Sequence, residues 1–130
     1  MKRLLDTNAY VALKRGDGPL AELVRSSSEL ALSMIVVGEL LFGFRNGNRY
    51  ERNARELEEF LAHDRVSVLP VTRTTADRFG RIAAALKKAG TPIPSNDVWI
   101  AAHAFESSAE LLTFDAHFAA VPGLVWTHLT

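Results

Sequence analysis

Cysteine is absent from the 130-residue chain. That absence excludes disulfide stapling, thiolate chemistry and cysteine-bound zinc, and it suits a reducing, cytoplasmic setting. Net charge is missing as well, because 15 Lys and Arg residues balance 15 Asp and Glu residues. The bulk field therefore draws the chain neither to nucleic acid nor to a membrane surface, and any polyanion must be held by a local patch. No apolar run approaches the roughly 18 residues of a membrane span. The opening Met1-Lys2-Arg3-Leu4-Leu5 has the basic flank of an export signal, but Asp6 and Asn8 interrupt the apolar stretch that export requires. A soluble protein with no membrane contact is expected. The four histidines, His63, His103, His117 and His128, lack the His-Glu-x-x-His spacing of a zinc hydrolase.

What the chain does have is 48% hydrophobic residues, enough for one continuous core and hence one domain over residues 1–130. Short apolar runs alternate with longer helical patterns. Periodicity places a strand at Arg3–Leu5, a helix turning Tyr10, Val11 and Leu13 inward, a break over Gly16–Pro19, a helix near Leu20–Arg25 and a strand at Leu30–Ser33. Met34–Phe44 is a helical stretch apolar almost all round, which predicts burial. Beyond the turn-rich Gly43–Asn48, a charged helix carries Tyr50, Ala54, Leu57 and Leu61 on one face, and Val66–Val71 forms a β-branched strand. Ala76, Phe79, Ile82, Ala83 and Leu86 stripe the next helix, with Thr74 as its cap and Gly90 as its stop. Pro92 and Pro94 enforce a loop, Ser95 caps a largely apolar helix through Val98, Ala101, Ala102 and Phe105, and strands at Leu111–Phe114 and near Leu124–Trp126 close the chain. Strands separated by helices imply parallel crossovers. Right-handed crossovers covering both faces give a three-layer α/β/α sandwich around a central, mainly parallel sheet.

Four carboxylates stand out against this frame. Asp6 and Asp115 lie at or just after strand ends, where an open parallel sheet gathers its ligands. Glu39 is alone in Ile35-Val36-Val37-Gly38-Glu39-Leu40-Leu41-Phe42, where an unpartnered buried charge costs several kcal/mol, roughly, so something positive should meet it. Asp97 falls in the first turn of its helix, favoured there by the dipole, with no cation among its neighbours Val98 to Ala102. Taken singly, Asp6 reads as a helix cap, Asp97 as a first-turn charge and Asp115 as part of an Asx-type turn. Taken together, the four suit a site for hard cations, since Mg²⁺ and Mn²⁺ prefer oxygen ligands. Such ions activate water for in-line phosphodiester hydrolysis without a protein nucleophile. Thr7, Asn8, Asn96 and Thr113 lie beside the acids and are candidates to orient a carboxylate or a metal-bound water.

These residues also carry a resemblance. Leu4-Leu5-Asp6-Thr7-Asn8, Ser33 to Gly43 around Glu39, Asn96-Asp97-Val98-Trp99-Ile100-Ala101-Ala102 and Leu112-Thr113-Phe114-Asp115-Ala116-His117-Phe118 resemble, in order and spacing, the PIN-domain proteins. More narrowly they are similar to the VapC toxins of bacterial and archaeal toxin–antitoxin pairs, over nearly the whole length. The resemblance implies an endoribonuclease that needs Mg²⁺ or Mn²⁺, with Asp6, Glu39, Asp97 and Asp115 matching the family's acidic quartet. It also implies a homodimer, a small VapB-type antitoxin that inserts a segment into the active-site groove, and structured targets such as transfer or ribosomal RNA. Asp115 matches the least constant of the four positions, where asparagine sometimes stands.

Arg45 and Arg49, and likewise Lys14 and Arg15 soon after the Asp6 strand, are candidate phosphate contacts. Arg52 with Glu56 and Arg55 with Glu59 have the i,i+4 spacing of a solvated helix face. His117 is expected to pack or cap after Asp115, and Trp99, Phe42, Phe44, Phe114 and Phe118 to serve core or dimer contacts. Two other classes compete with the nuclease. A non-catalytic RNA-binding scaffold of the same fold would have lost the acids, and none is lost here. An aspartate-nucleophile phosphatase would want a second aspartate two residues after Asp6, where Asn8 stands.

Overall fold

Leu4 and Leu5 are consecutive on the first strand and both are fully buried, so that strand is covered on both faces, as a parallel sheet between helical layers requires. The computed structural model describes residues 1–130. Its elements run β1 (Lys2–Leu5), α1 (Thr7–Lys14), α2 (Gly18–Arg25), β2 (Glu29–Ser33), α3 (Met34–Arg45), α4 (Tyr50–Leu61), β3 (Val66–Leu69), α5 (Arg73–Ala89), α6 (Ser95–Ser107), β4 (Glu110–Thr113), a 3₁₀ turn (Ala116–Ala120) and β5 (Trp126–His128).

The five strands form one sheet in the order β3-β2-β1-β4-β5, and every neighbouring pair is parallel, with Leu4 opposite both Ala31 and Leu111. The chain steps outward from β1 to β2 to β3, then returns across the sheet to β4. Right-handed crossovers put the helices of the outward steps on one face and the α5–α6 hairpin of the return on the other. The direction reverses between β1 and β4, and there the carboxyl ends of two adjacent strands leave a crevice. The core fills both sides of this sheet, from Leu4 to Leu129.

Local departures from the sequence expectations have physical causes. The α5 cap is Thr72, whose hydroxyl accepts from the Thr75 amide while the Thr75 hydroxyl accepts from the Thr72 amide, a reciprocal capping box that leaves Thr74 inside the helix. Ser95 is the first residue of α6 rather than its cap; Pro94 precedes it with no side-chain cap. Pro19 opens α2 instead of breaking the chain, because a first-turn proline lacks only an N–H that would be unpaired anyway, and Asp17 caps the Leu20 amide at 3.0 Å. β3 ends at Leu69, before Pro70, and β5 begins at Trp126, two residues later than Leu124. The helix expected to be buried all round is not: α3 buries Val36 and Leu40, while Met34 and Phe42 are 48% and 67% exposed. Its composition signalled burial, but only one stripe meets the core.

The α5–α6 hairpin is locked by Phe79 stacked on Trp99, ring centroids 4.1 Å apart and planes 27° apart. Gly90 closes α5 with a left-handed φ of 75°, the conformation that a β-carbon disfavours.

Candidate active site

Asp6 directly follows β1 and caps α1. One carboxylate oxygen accepts from the Ala9 amide at 2.9 Å, and the other accepts from the Thr113 hydroxyl at the end of β4. The capping role anticipated for aspartate is thus present, and it occupies only one of the two oxygens. Thr113, fully buried, also accepts from the Asp115 amide at 3.0 Å. With the amide as donor, the hydroxyl proton is directed to Asp6, so a single side chain ties the two strand ends across the crevice.

Glu39 reaches the same crevice from α3. That helix is placed by Ser33, whose hydroxyl accepts from the Ile35 amide at 3.1 Å and meets His103 Nδ1 at 2.8 Å. His103 is a satisfied core histidine: its Nε2 donates to the Pro70 carbonyl at 3.0 Å, because a carbonyl can only accept, and a neutral ring then receives the Ser33 proton at Nδ1. The cation that the apolar setting of Glu39 seemed to demand is not what meets it. The Thr7 hydroxyl donates to one oxygen at 2.6 Å and the Asn96 amide to the other at 3.2 Å. Thr7 and Asn96, neighbours of Asp6 and Asp97, therefore orient the third acid rather than their own. Asn8 is exposed on α1 and makes no side-chain hydrogen bond in the site.

Asp97 stands in the first turn of α6, and Asp115 follows β4. Between them lies His117, with Nε2 2.9 Å from Asp97 and Nδ1 3.1 Å from Asp115. The approach to Asp97 is close but off the hydrogen-bond direction, which leaves Nε2 without a geometrically sound partner. Ligand atoms of Asp97, Asp115 and His117 all lie within 4.8 Å of one another.

Burial pushes both Asp6 and Asp97 above the ordinary carboxylate range. For Asp6 the hydrogen bonds from Thr113 and Ala9 oppose this, and for Asp97 the His117 charge does; the charges of Asp115 and Glu39 push both acids up further. The four carboxylates therefore share one electrostatic neighbourhood in which each added negative charge discourages the next. His117 is the residue that sequence reasoning undervalued. Its position two after Asp115, the one histidine that close to a member of the acidic quartet, was the available signal.

The donor set fits a small hard cation. Carboxylate oxygens dominate, the carboxylates lack a lysine or arginine partner in the crevice, and the one nearby nitrogen ligand is a histidine. Beside the acids, Thr7 and Glu39 also line a cleft of about 510 Å³ between α1, α3 and α4, to which Lys14, Arg15 and Arg49 contribute. Arg45 does not line it; it stacks on the Tyr50 ring at 4.1 Å and donates to the Tyr50 hydroxyl at 3.0 Å. Arg52, expected on a solvated face, lines the cleft while pairing with Glu56 at 3.2 Å.

Comparison with known proteins agrees over the length of the chain. The PIN domain profile matches residues 3–124. Ribonuclease VapC1 of Haemophilus influenzae is 35% identical over 132 aligned residues, which cover 98% of this chain and 97% of that protein. The tRNA(fMet)-specific endonuclease VapC of Salmonella typhimurium is 30% identical, covering 95% of each. The crystal structure of VapBC-1 from nontypeable Haemophilus influenzae superposes with a TM-score of 0.86 at 33% identity, covering 98% of this chain and 97% of that one.

Proposed function

The chain belongs to the PIN-domain family and, within it, to the VapC ribonucleases; from that premise and the carboxylate crevice we propose that Asp6, Glu39, Asp97 and Asp115 hold Mg²⁺ or Mn²⁺ and that the protein hydrolyses RNA as the toxin of a toxin–antitoxin pair. The observation that carries the residue assignment is the convergence itself. Acids from the β1–α1 junction, α3, α6 and the end of β4 face one crevice where the strand order reverses, Asp97 and Asp115 lie close enough to share a ligand with His117, and burial together with mutual repulsion raises two of the four.

When bound, a divalent ion supplies the positive charge this cluster lacks and lowers the pKa of a coordinated water toward neutrality. The protein's own residues do the rest. Thr113 directs one oxygen of Asp6 into the crevice, and Thr7 with Asn96 fixes the plane of Glu39. His117, flanked by Asp97 and Asp115, bridges the two acids on one side of the crevice. Lys14, Arg15 and Arg49 line the neighbouring cleft and hold the phosphates leading away from the cut; Arg45, engaged with Tyr50, contributes less.

A structured RNA, transfer or ribosomal, is the expected substrate, and a small VapB-type protein the expected partner. A homodimer acting in the cytoplasm as one domain over residues 1–130 completes the reading. No helix is long and apolar enough to cross a membrane, and the exposed Met34 and Phe42 on α3 supply apolar surface for a protein partner.

The test is direct. Purified protein is incubated with RNA and Mg²⁺ or Mn²⁺, alongside samples with EDTA and with Asp97→Asn. Cleavage confined to the metal-containing wild-type sample supports the assignment; equal cleavage in all samples overturns it.

A further inference from the structure

The cleft beside Glu39 is cationic in a protein with no net charge. Lys14, Arg15, Arg49 and Arg52 line it against two carboxylates, Glu39 and Glu56. A pocket of this size accommodates roughly one nucleotide. Its floor contains a second, independent feature. Tyr10, on α1 one turn after Asp6, also lines the cleft, is only 2% exposed, and has a hydroxyl shut off from water with no hydrogen-bond partner.

An orphaned buried hydroxyl is uncommon, because its lost hydration is not replaced. Packing accounts for the ring, which meets Phe60 edge-on with centroids 5.2 Å apart and lies 5.8 Å below the Lys14 ammonium. Packing does not account for the oxygen, since a phenylalanine would make the same ring contacts. Burial, with the charge of Glu56, pushes the Tyr10 hydroxyl up to about 12, so it keeps its proton near neutral pH and can act as a donor. Glu56, whose charge reaches the Tyr10 hydroxyl, lines the same cleft and pairs with Arg52 at 3.2 Å, the two side chains 38% and 62% exposed.

We propose that this cleft is the subsite for the nucleotide beside the scissile phosphate, where Arg49 and Arg52 take a backbone phosphate and the Tyr10 hydroxyl, exposed as Arg52 turns toward that phosphate, donates to an acceptor on the nucleotide. Asn53, on the same wall, adds an amide that can both donate and accept. Tyr10 is then a specificity-determining residue, and the cleft continues from Glu39 along the RNA strand. The inference rests on the ribonuclease reading above.

Tyr10→Phe removes the oxygen alone. Wild type, Tyr10→Phe and Arg52→Gln are compared on purified transfer and ribosomal RNA with Mg²⁺ or Mn²⁺, with fragment ends sequenced and KM and kcat separated. The expected result is a melting temperature for Tyr10→Phe equal to or above that of wild type, and a KM raised roughly three- to tenfold with kcat little changed. The base preference of wild type at one position beside the cut should flatten, and Arg52→Gln should raise KM in the same direction.

An unchanged KM together with an unchanged end profile in Tyr10→Phe overturns the subsite while leaving the ribonuclease reading intact. Absence of cutting by wild type overturns both. Unchanged RNA kinetics with weakened binding of the purified cognate antitoxin would give the cleft to the protein partner instead, and overturn the proposal. Should Tyr10→Phe melt below wild type, Arg52→Gln, at an exposed position, carries the same comparison.

Discussion

The two ends of the same two strands handle their carboxylates in opposite ways. At the amino ends of β1 and β4, Arg3 meets Glu110 at 2.8 Å, each side chain 14% exposed, and Arg3 also donates to the Leu23 carbonyl and to Ser26 and Ser27. Burial works against the Glu110 charge, but hydrogen bonds from Thr127 and Arg3, with the Arg3 charge, bring it below its ordinary value. At the carboxyl ends, three residues beyond Arg3 and five beyond Glu110, Asp6 and Asp115 have no arginine or lysine, and Asp6 is pushed up instead. One end is closed by a complete ion pair. The other is left short of positive charge, which is the condition a cation-binding site needs and a purely structural end avoids.

The comparison can be broken first at its stable end. Arg3→Ala leaves the partly buried Glu110 without its counter-ion and the Leu23 carbonyl without its donor, and should cost about 3 kcal/mol in chemical denaturation, while metal affinity, measured on the protein that remains folded, stays near wild type. A comparable loss of metal affinity would mean that the two ends are not separable.

Next comes the ion itself. At a concentration near a hundred times its Kd, Mg²⁺ or Mn²⁺ should add about 2.7 kcal/mol to wild-type stability. Thermal shift should show this for wild type, with much less for Asp97→Asn. A third change addresses the hydrogen bond that crosses the crevice: Thr113→Val should reduce cleavage by about 10- to 100-fold, because Asp6 loses the donor that orients it, and kinetics with saturating metal would show whether kcat falls.

The smallest effect is a change of sign. Because burial raises Asp6 and Asp97 in the folded state, the metal-free fold binds more protons than the unfolded chain. Their contribution to stability is thus fully present below the unfolded carboxylate value and is lost as pH rises through the folded one. Glu110 runs the other way: its contribution is present above its unfolded value and lost as pH falls through the folded one. Removing a raised charge with Asp97→Asn should therefore leave the melting temperature at pH 7 equal or higher, even as activity disappears. A marked drop would show that Asp97 is structural.

The fold was legible because a doubly covered parallel sheet leaves continuous apolar runs, such as Leu30-Ala31-Leu32 on β2, and because breakers such as Gly90 mark the helix ends. The cap of α5, expected at Thr74, is Thr72, because Thr72, Thr74 and Thr75 all stand at one helix start and only the backbone turn decides among them. The exposed face of α3 was hidden for a related reason: an apolar helix in a small domain looks the same in sequence whether its second face meets a core or a partner. Among the site residues, the acids were visible as charges out of keeping with their surroundings. His117 and Thr113 were harder to weigh, since their importance lies in what they join across the chain, from Asp97 to Asp115 and from Asp115 to Asp6.

The Phe79–Trp99 stack gives the molecule an optical reporter. Trp99 sits two residues after Asp97 on the same helix turn, and the chain's other tryptophan, Trp126, lies on the edge strand β5. With Trp126→Phe, the remaining indole would emit from the helix that carries Asp97, so that ion titrations could be followed by fluorescence without a label, a nucleic acid or a turnover.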